Sequence, residues 1–166
     1  MQALRYFTAG QEHDWPDLDI LHSNGLPVMS VGGYDALFSM LANNRFDYLP
    51  RGVTEAWSEL EVRPQLGLVI DPFIVMHYPT AEYFFVAPSK PYLAQHLRLG
   101  LERAHADGSF DRLFLAHFAP LLRRANLPKR RIIELNNPLI DVSSMPPPNS
   151  SWWNNPSTSD STPPAN

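Results

Sequence analysis

The sequence predicts an α/β protein with a mainly parallel sheet flanked by helices, and three observations carry that expectation. Strand-like and helix-like segments alternate through the first half of the chain. The helical segments show apolar residues at three- and four-residue spacing. Turn residues stand at the junctions, with Asn24-Gly25, Gly32-Gly33 and Asn43-Asn44 among them. A strand and helix alternation of this kind favours parallel strands joined by crossover helices.

Taken in order, the first strand is expected at Leu4–Ala9, closed by Gly10. A helix follows over Trp15–His22, with Asp14 as its cap, Pro16 in the first turn and acidic residues at its positive end. A strand is expected at Pro27–Val31. Tyr34, Leu37, Phe38, Leu41 and Ala42 then fall on one face of a helix that Asn43-Asn44 ends. The chain should run from there into a short strand that delivers Arg51 at its carboxyl end. Beyond Arg51, the stripe Val53, Ala56, Trp57 and Leu60 predicts another short helix packed on the same sheet.

Residues Leu66–Ile70 and Phe73–Met76, and then Tyr83-Phe84-Phe85-Val86-Ala87, are β-prone runs, the last stopped by Pro88. Two helices are expected next. One covers Pro91–Ala106, with Leu93, Leu97, Leu101 and Ala104 aligned, and Asp107-Gly108 as a left-handed stop. The other begins with Ser109 as cap, aligns Phe110, Leu113, Phe114, Phe118, Leu121, Leu122 and Ala125, and should kink or break at Pro120. The tail from Ser143 to Asn166 is rich in serine, threonine and proline and predicts disorder, with Trp152-Trp153 expected to dock on the folded body.

Composition narrows the function classes. The chain has 166 residues, 44% of them apolar, which suits one domain of ordinary size with a real core. A net charge of -4 argues against a nucleic-acid partner, and the basic run Arg123-Arg124 with Lys129-Arg130-Arg131 reads as a solvated helix end. The apolar stretch Leu66–Tyr78 is interrupted by Asp71, Pro72 and His77 and is too short to insert in a membrane. No secretory signal is recognisable at the start. With no cysteine there is neither a disulfide nor a thiolate metal site. The six histidines show no ligand spacing, so no metal is expected. No serine nucleophile motif, dinucleotide fingerprint or phosphate loop is present, and Asp71 with Glu82 reads as edge charge, so neither catalysis nor a cofactor is expected.

Two places read as binding chemistry. Gly10 to Asp17 joins a strand to a helix start, where free backbone N–H groups can meet an anion and Gln11, His13, Asp14 and Trp15 can add contacts; a plain helix cap with Trp15 in the core is the bland alternative. Arg51, followed by Gly52, reads either as a solute ligand at a strand's carboxyl end or as a surface ion pair with Glu55 at i+4.

Three stretches resemble the type II periplasmic solute-binding proteins, in the amino-acid-binding branch of the transporter substrate-binding domains. Leu41-Ala-Asn-Asn-Arg-Phe-Asp-Tyr48 looks like that family's helix, turn and aspartate entering a lobe-two strand. Tyr83-Phe-Phe-Val-Ala-Pro-Ser-Lys90 with Pro91-Tyr-Leu-Ala94 looks like the returning hinge strand and the next helix. Leu101-Glu-Arg-Ala-His-Ala-Asp-Gly-Ser-Phe110 is similar to the family's closing helix signature. The resemblance covers roughly residues 1–140, and Gly10–Asp17 and Asn137-Pro-Leu139 belong to it.

The resemblance implies a periplasmic-binding-protein-like type II fold, present as one lobe plus the returning C-terminal helices of the other. Residues 1–82 correspond to lobe two, 83–142 to the hinge strand and returning helices, and 143–166 to a tail. It implies a noncatalytic protein that captures a small polar solute, amino-acid-like or carboxylate-bearing, for transport or sensing in the periplasm. Ligand contacts would come from Gln11, His13, Asp14, Trp15, Arg51 and Gly52, and the hinge from Tyr83, Phe84, Phe85, Val86 and Ala87. Transporter permease subunits are the partners it implies. The first half of lobe one has no counterpart here, and Arg51-Gly52 stands where amino-acid binders place an acid. The rival expectation is a noncatalytic interaction module, or a fragment, that docks on a partner chain and does not bind solute alone.

Overall fold

The computed structural model describes residues 2–141. The tail expectations, Trp152-Trp153 included, lie outside the described residues. The chain is mixed α/β with small parallel sheets, and it divides into two compact units. Within the described residues, 2–80 and 129–141 form the first and 81–128 the second.

In the first unit, strand β1 (Ala9–Glu12) pairs in parallel with β2 (Val28–Val31), Ala9 opposite Val28 and Glu12 opposite Val31. Helix α1 (Pro16–Ser23) joins them, as a parallel pair requires. On the other side of β1, Tyr48 forms a parallel bridge with Ala9, and the Gly10 N–H donates to the Tyr48 carbonyl at 2.9 Å. β1 is therefore the central strand, and helix α2 (Tyr34–Ala42) carries the chain from β2 past it to Tyr48.

Side-chain alternation assigns the two faces of this sheet. Ala9 and Val28 pack with Ile20 and Leu21 of α1. Met29 and Val31, one step out of phase, pack with Leu37 and Phe38 of α2 and with Phe46. Gly10 belongs to the second face: a Cβ there would stand 2.3–2.5 Å from the Phe46 ring, so the ring lies directly on bare backbone.

A second parallel pair, β3 (Ile74–His77) with β4 (Arg131–Glu134), brings the chain back into this unit after the helices of the second. Ile133 and Leu135 enter the same core cluster as Ala9, Ile20, Leu21 and Leu26. Asn24 at the end of α1 clamps the returning chain reciprocally: its Nδ2 donates to the Asn136 carbonyl at 2.7 Å and its Oδ1 accepts from the Asn136 N–H at 2.9 Å. Between these pairs lies the short helix α3 (Ala56–Glu61).

The second unit is a helical hairpin, α4 (Pro91–Ala106) and α5 (Ser109–Ala125), the two helices packed against each other. Gly108 adopts φ 71° between them, a left-handed turn that glycine accommodates freely. Phe110, Phe114 and Phe118 form a ladder along α5, with ring centroids 6.5 and 5.0 Å apart.

Several expectations are corrected. Residues 2–6 form a 3-10 helix and the strand begins at Ala9 rather than Leu4. The stretch before Arg51 contributes a single bridge at Tyr48, not a full strand. Of the two β-prone runs before residue 78, only Ile74–His77 pairs; Leu66–Ile70 and Tyr83–Ala87 are not strands. β-propensity yields a strand only where a partner edge satisfies the backbone, and among the described residues none is paired with 83–87. The caps also differ. Trp15, not Asp14, is the α1 cap residue, and Gly108 rather than Ser109 precedes α5; neither supplies a side-chain cap bond. Helix α5 continues through Pro120. The basic run splits: Arg123 and Arg124 end α5, while Arg131 opens β4.

Candidate functional site

Three chain segments leave the same edge of the first sheet. His13–Trp15 follows β1, Gly32–Tyr34 follows β2, and Arg51-Gly52 follows the Tyr48 bridge, so parallel register brings them to the carboxyl ends of their strands together. A ligand crevice in an open α/β sheet lies at that edge.

Arg51 is the centre of what gathers there. Its guanidinium carbon stands 4.4 Å from the centroid of the Trp15 ring and 5.8 Å from that of Tyr34, and the two rings are 6.2 Å apart. Glu59 on α3 takes one edge of the guanidinium: Nε donates to both carboxylate oxygens at 3.0 and 2.9 Å, and Nη2 donates to Oε1 at 2.7 Å. The Tyr34 hydroxyl donates to the same Oε1 at 2.6 Å. Glu55 takes a second position, its Oε2 lying 3.1 Å from Arg51 Nη2 and accepting from the Gly52 N–H at 3.1 Å. Among the described residues, no acceptor is paired with Nη1.

Arg63 extends the group. It lies 4.1 Å from the Phe38 ring centroid and 5.1 Å from that of Tyr34, donates to the Glu59 carbonyl at 3.1 Å, and pairs with Asp35 at 2.6 Å. Cations over aromatic faces and a fork-shaped carboxylate pair are both arginine geometries, which lysine does not reproduce.

The electrostatics follow from these partners. Burial alone would push the Glu59 carboxyl up, but the hydrogen bonds from Arg51 and Tyr34 and the two arginine charges outweigh it and hold the group below its ordinary value. Burial pulls Arg51 down, and Glu59 with Glu55 more than restores it, so its charge is held more firmly than usual. Tyr34 is raised, first by burial and then by the Glu59 carboxylate it donates to. Away from this cluster, the half-buried Tyr78 hydroxyl donates to Asp17 on α1 and is likewise raised, by burial and then by that carboxylate.

The structure brings Trp15, Arg51 and Gly52 together. Gln11 is buried at 1% exposure in β1, on the face toward α1, and its Oε1 finds no partner among the described residues. His13 and Asp14 are exposed, and with Glu12 they present ligand atoms within 4.8 Å of one another, consecutive surface groups of a kind common without a metal. Tyr83, Phe84 and Phe85 are exposed in a segment without regular structure, Ala87 is exposed, and Val86 is half-buried.

Sequence reading missed Tyr34, Glu59 and Arg63 as members of the site. A signal for two of them was present: Arg51, Glu55, Glu59 and Arg63 recur every four residues, a charge ladder along one helical face. Comparison of the chain with family models, with curated proteins and with solved structures gave no match.

Proposed function

We propose that this chain is the lobe-two and returning portion of a type II solute-binding protein, and that it captures a small, polar, carboxylate-bearing solute for transport or sensing. The observation that carries the reading is Arg51, whose guanidinium carbon stands 4.4 Å from the Trp15 ring centroid beyond the carboxyl ends of the strands, with its Nη1 atom unclaimed among the described residues. The mechanism is capture between lobes: one wall is the aromatic and guanidinium surface described above, a second lobe supplies the other, and closure follows because the ligand bonds to both. Transporter permeases are the partners of such a protein, and the periplasm its compartment.

Calorimetric titration with amino acids, dicarboxylates and amines tests the reading. Carboxylates are expected to bind, and Arg51→Ala should weaken them by on the order of 2–5 kcal/mol, the cost of losing a hydrogen-bonded charge contact. Tight binding of an amine indifferent to Arg51→Ala would overturn the proposal.

A second reading is favoured by one observation. No residue of α4 is buried and only Ala125 of α5 is, while Tyr92, Leu93, Phe110, Leu113 and Leu115 stand exposed. On that reading the hairpin is an interaction surface, covered by a lobe-one-like α/β segment. Solution binding of no solute in the panel, with gain of binding only when such a segment is supplied, supports this second reading.

A further inference from the structure

The carboxylate of Glu55 stands where a ligand carboxylate would. One oxygen of it lies 3.1 Å from Arg51 Nη2 as an ion pair and accepts from the Gly52 N–H, also at 3.1 Å, while the side chain is 51% exposed on a tether four residues long. Glu59, in contrast, is 9% exposed in its side chain, binds the other edge of the guanidinium through both oxygens and receives the Tyr34 hydroxyl. The two carboxylates therefore differ in kind. A buried, doubly bonded partner is costly to remove, whereas an exposed pair at i+4 contributes little and exchanges readily.

We infer that Glu55 is a resident self-ligand: it occupies the outer edge of Arg51 in the empty protein and is displaced by the carboxylate of an incoming solute, while Glu59 holds Arg51 in place throughout. An entering carboxylate takes Nη1 and Nη2 side by side, the bidentate geometry that a guanidinium favours, and Glu55 swings out to water. The exchange is neutral in charge at the arginine, one carboxylate leaving as another arrives, so the buried pair with Glu59 is undisturbed. Glu55 sets the threshold concentration for capture. This inference rests on the proposed carboxylate capture and adds to it the competitor already in the site.

Acetate and succinate are the probes, and the Gly52 amide and the Arg51 Nε–H resonances of the ¹⁵N-labelled full chain are the readouts. Glu55→Gln keeps the size of the side chain and removes its charge. Both probes are expected to shift the Gly52 and Arg51 signals, with midpoints several-fold lower in Glu55→Gln than in the unsubstituted chain, and the Gly52 amide is expected not to respond in Arg51→Ala. Sodium chloride at equal ionic strength controls for screening. If the probes bind at Arg51 with the same midpoint in both chains, Glu55 is only a helix-start contact and the inference falls while carboxylate capture stands. If neither probe moves the Arg51 signal in either chain, both fall together.

Discussion

Gly10 is a steric requirement of the first sheet. The Phe46 ring, 4% exposed, rests on the β1 backbone where any Cβ would overlap three of its carbons. A buried ring closed in by Val31, Leu37 and Phe38 has nowhere to move. Gly10→Ala should therefore destabilise the first unit by about 1–3 kcal/mol, the usual cost of overpacking, seen as a lower midpoint in urea unfolding. The Glu59 carboxylate ties stability to pH. Its folded value lies below the ordinary 4.5, so the stability it contributes is fully present above that pH and is lost as pH falls through the lower, folded value. Urea unfolding between pH 3 and 7 should show this loss in the acid limb, and Glu59→Gln should flatten it. If the two chains lose stability in parallel, Glu59 is not the group responsible.

Among the elements, α5 combines a strong pattern with a local fault. Pro120 can donate no bond to the carbonyl four residues back, yet the helix runs on from Ser109 to Ala125. The three-ring ladder of Phe110, Phe114 and Phe118 lines the helix before Pro120, and Pro120 itself is exposed. Because the ring fills no buried space, Pro120→Ala should restore the bond without leaving a cavity. It is expected to stabilise the helix by up to about 3 kcal/mol, the helix-interior difference between these residues, read as a higher thermal midpoint by circular dichroism. An unchanged or lower midpoint would show that the missing bond costs the helix nothing.

For the whole molecule, the unmet packing of α4 and α5 is the dominant fact. Tyr92 is 77% exposed and Leu113 62%, and large apolar side chains exposed on two helices that touch each other are a surface that monomers seldom leave open. The isolated chain is expected to self-associate at micromolar concentration in sedimentation velocity, and Leu93→Glu with Leu113→Glu should return it to a monomer. A compact monomer of the unsubstituted chain with sharp thermal unfolding would contradict this. Covering each large side chain is worth roughly 1.5–3 kcal/mol, so a few of them suffice to drive association.

Apolar spacing marks the helices unaided: α2, α4 and α5 occupy the residues it picks out, because a helix satisfies its own backbone and needs only one-sided packing to persist. The sequence also determined that the strands pair in parallel, since helices of this length intervene between them. The tertiary structure alone decided which β-prone runs became strands. Ile74–His77 found Arg131–Glu134, whose own reading as a basic run hid two isoleucines, while Tyr83–Ala87 has no such partner among the described residues. It alone decided the state of Arg51 as well. Spacing reveals Glu55 and even Glu59 as neighbours on one helical face, but only the fold stacks Trp15 on the guanidinium, turns Tyr34 onto Glu59 and separates a buried carboxylate from an exposed one. The physical reason is the same in both cases. Strand pairing and buried charge depend on groups distant in sequence, and nothing local to a residue states which partner the chain will bring to it.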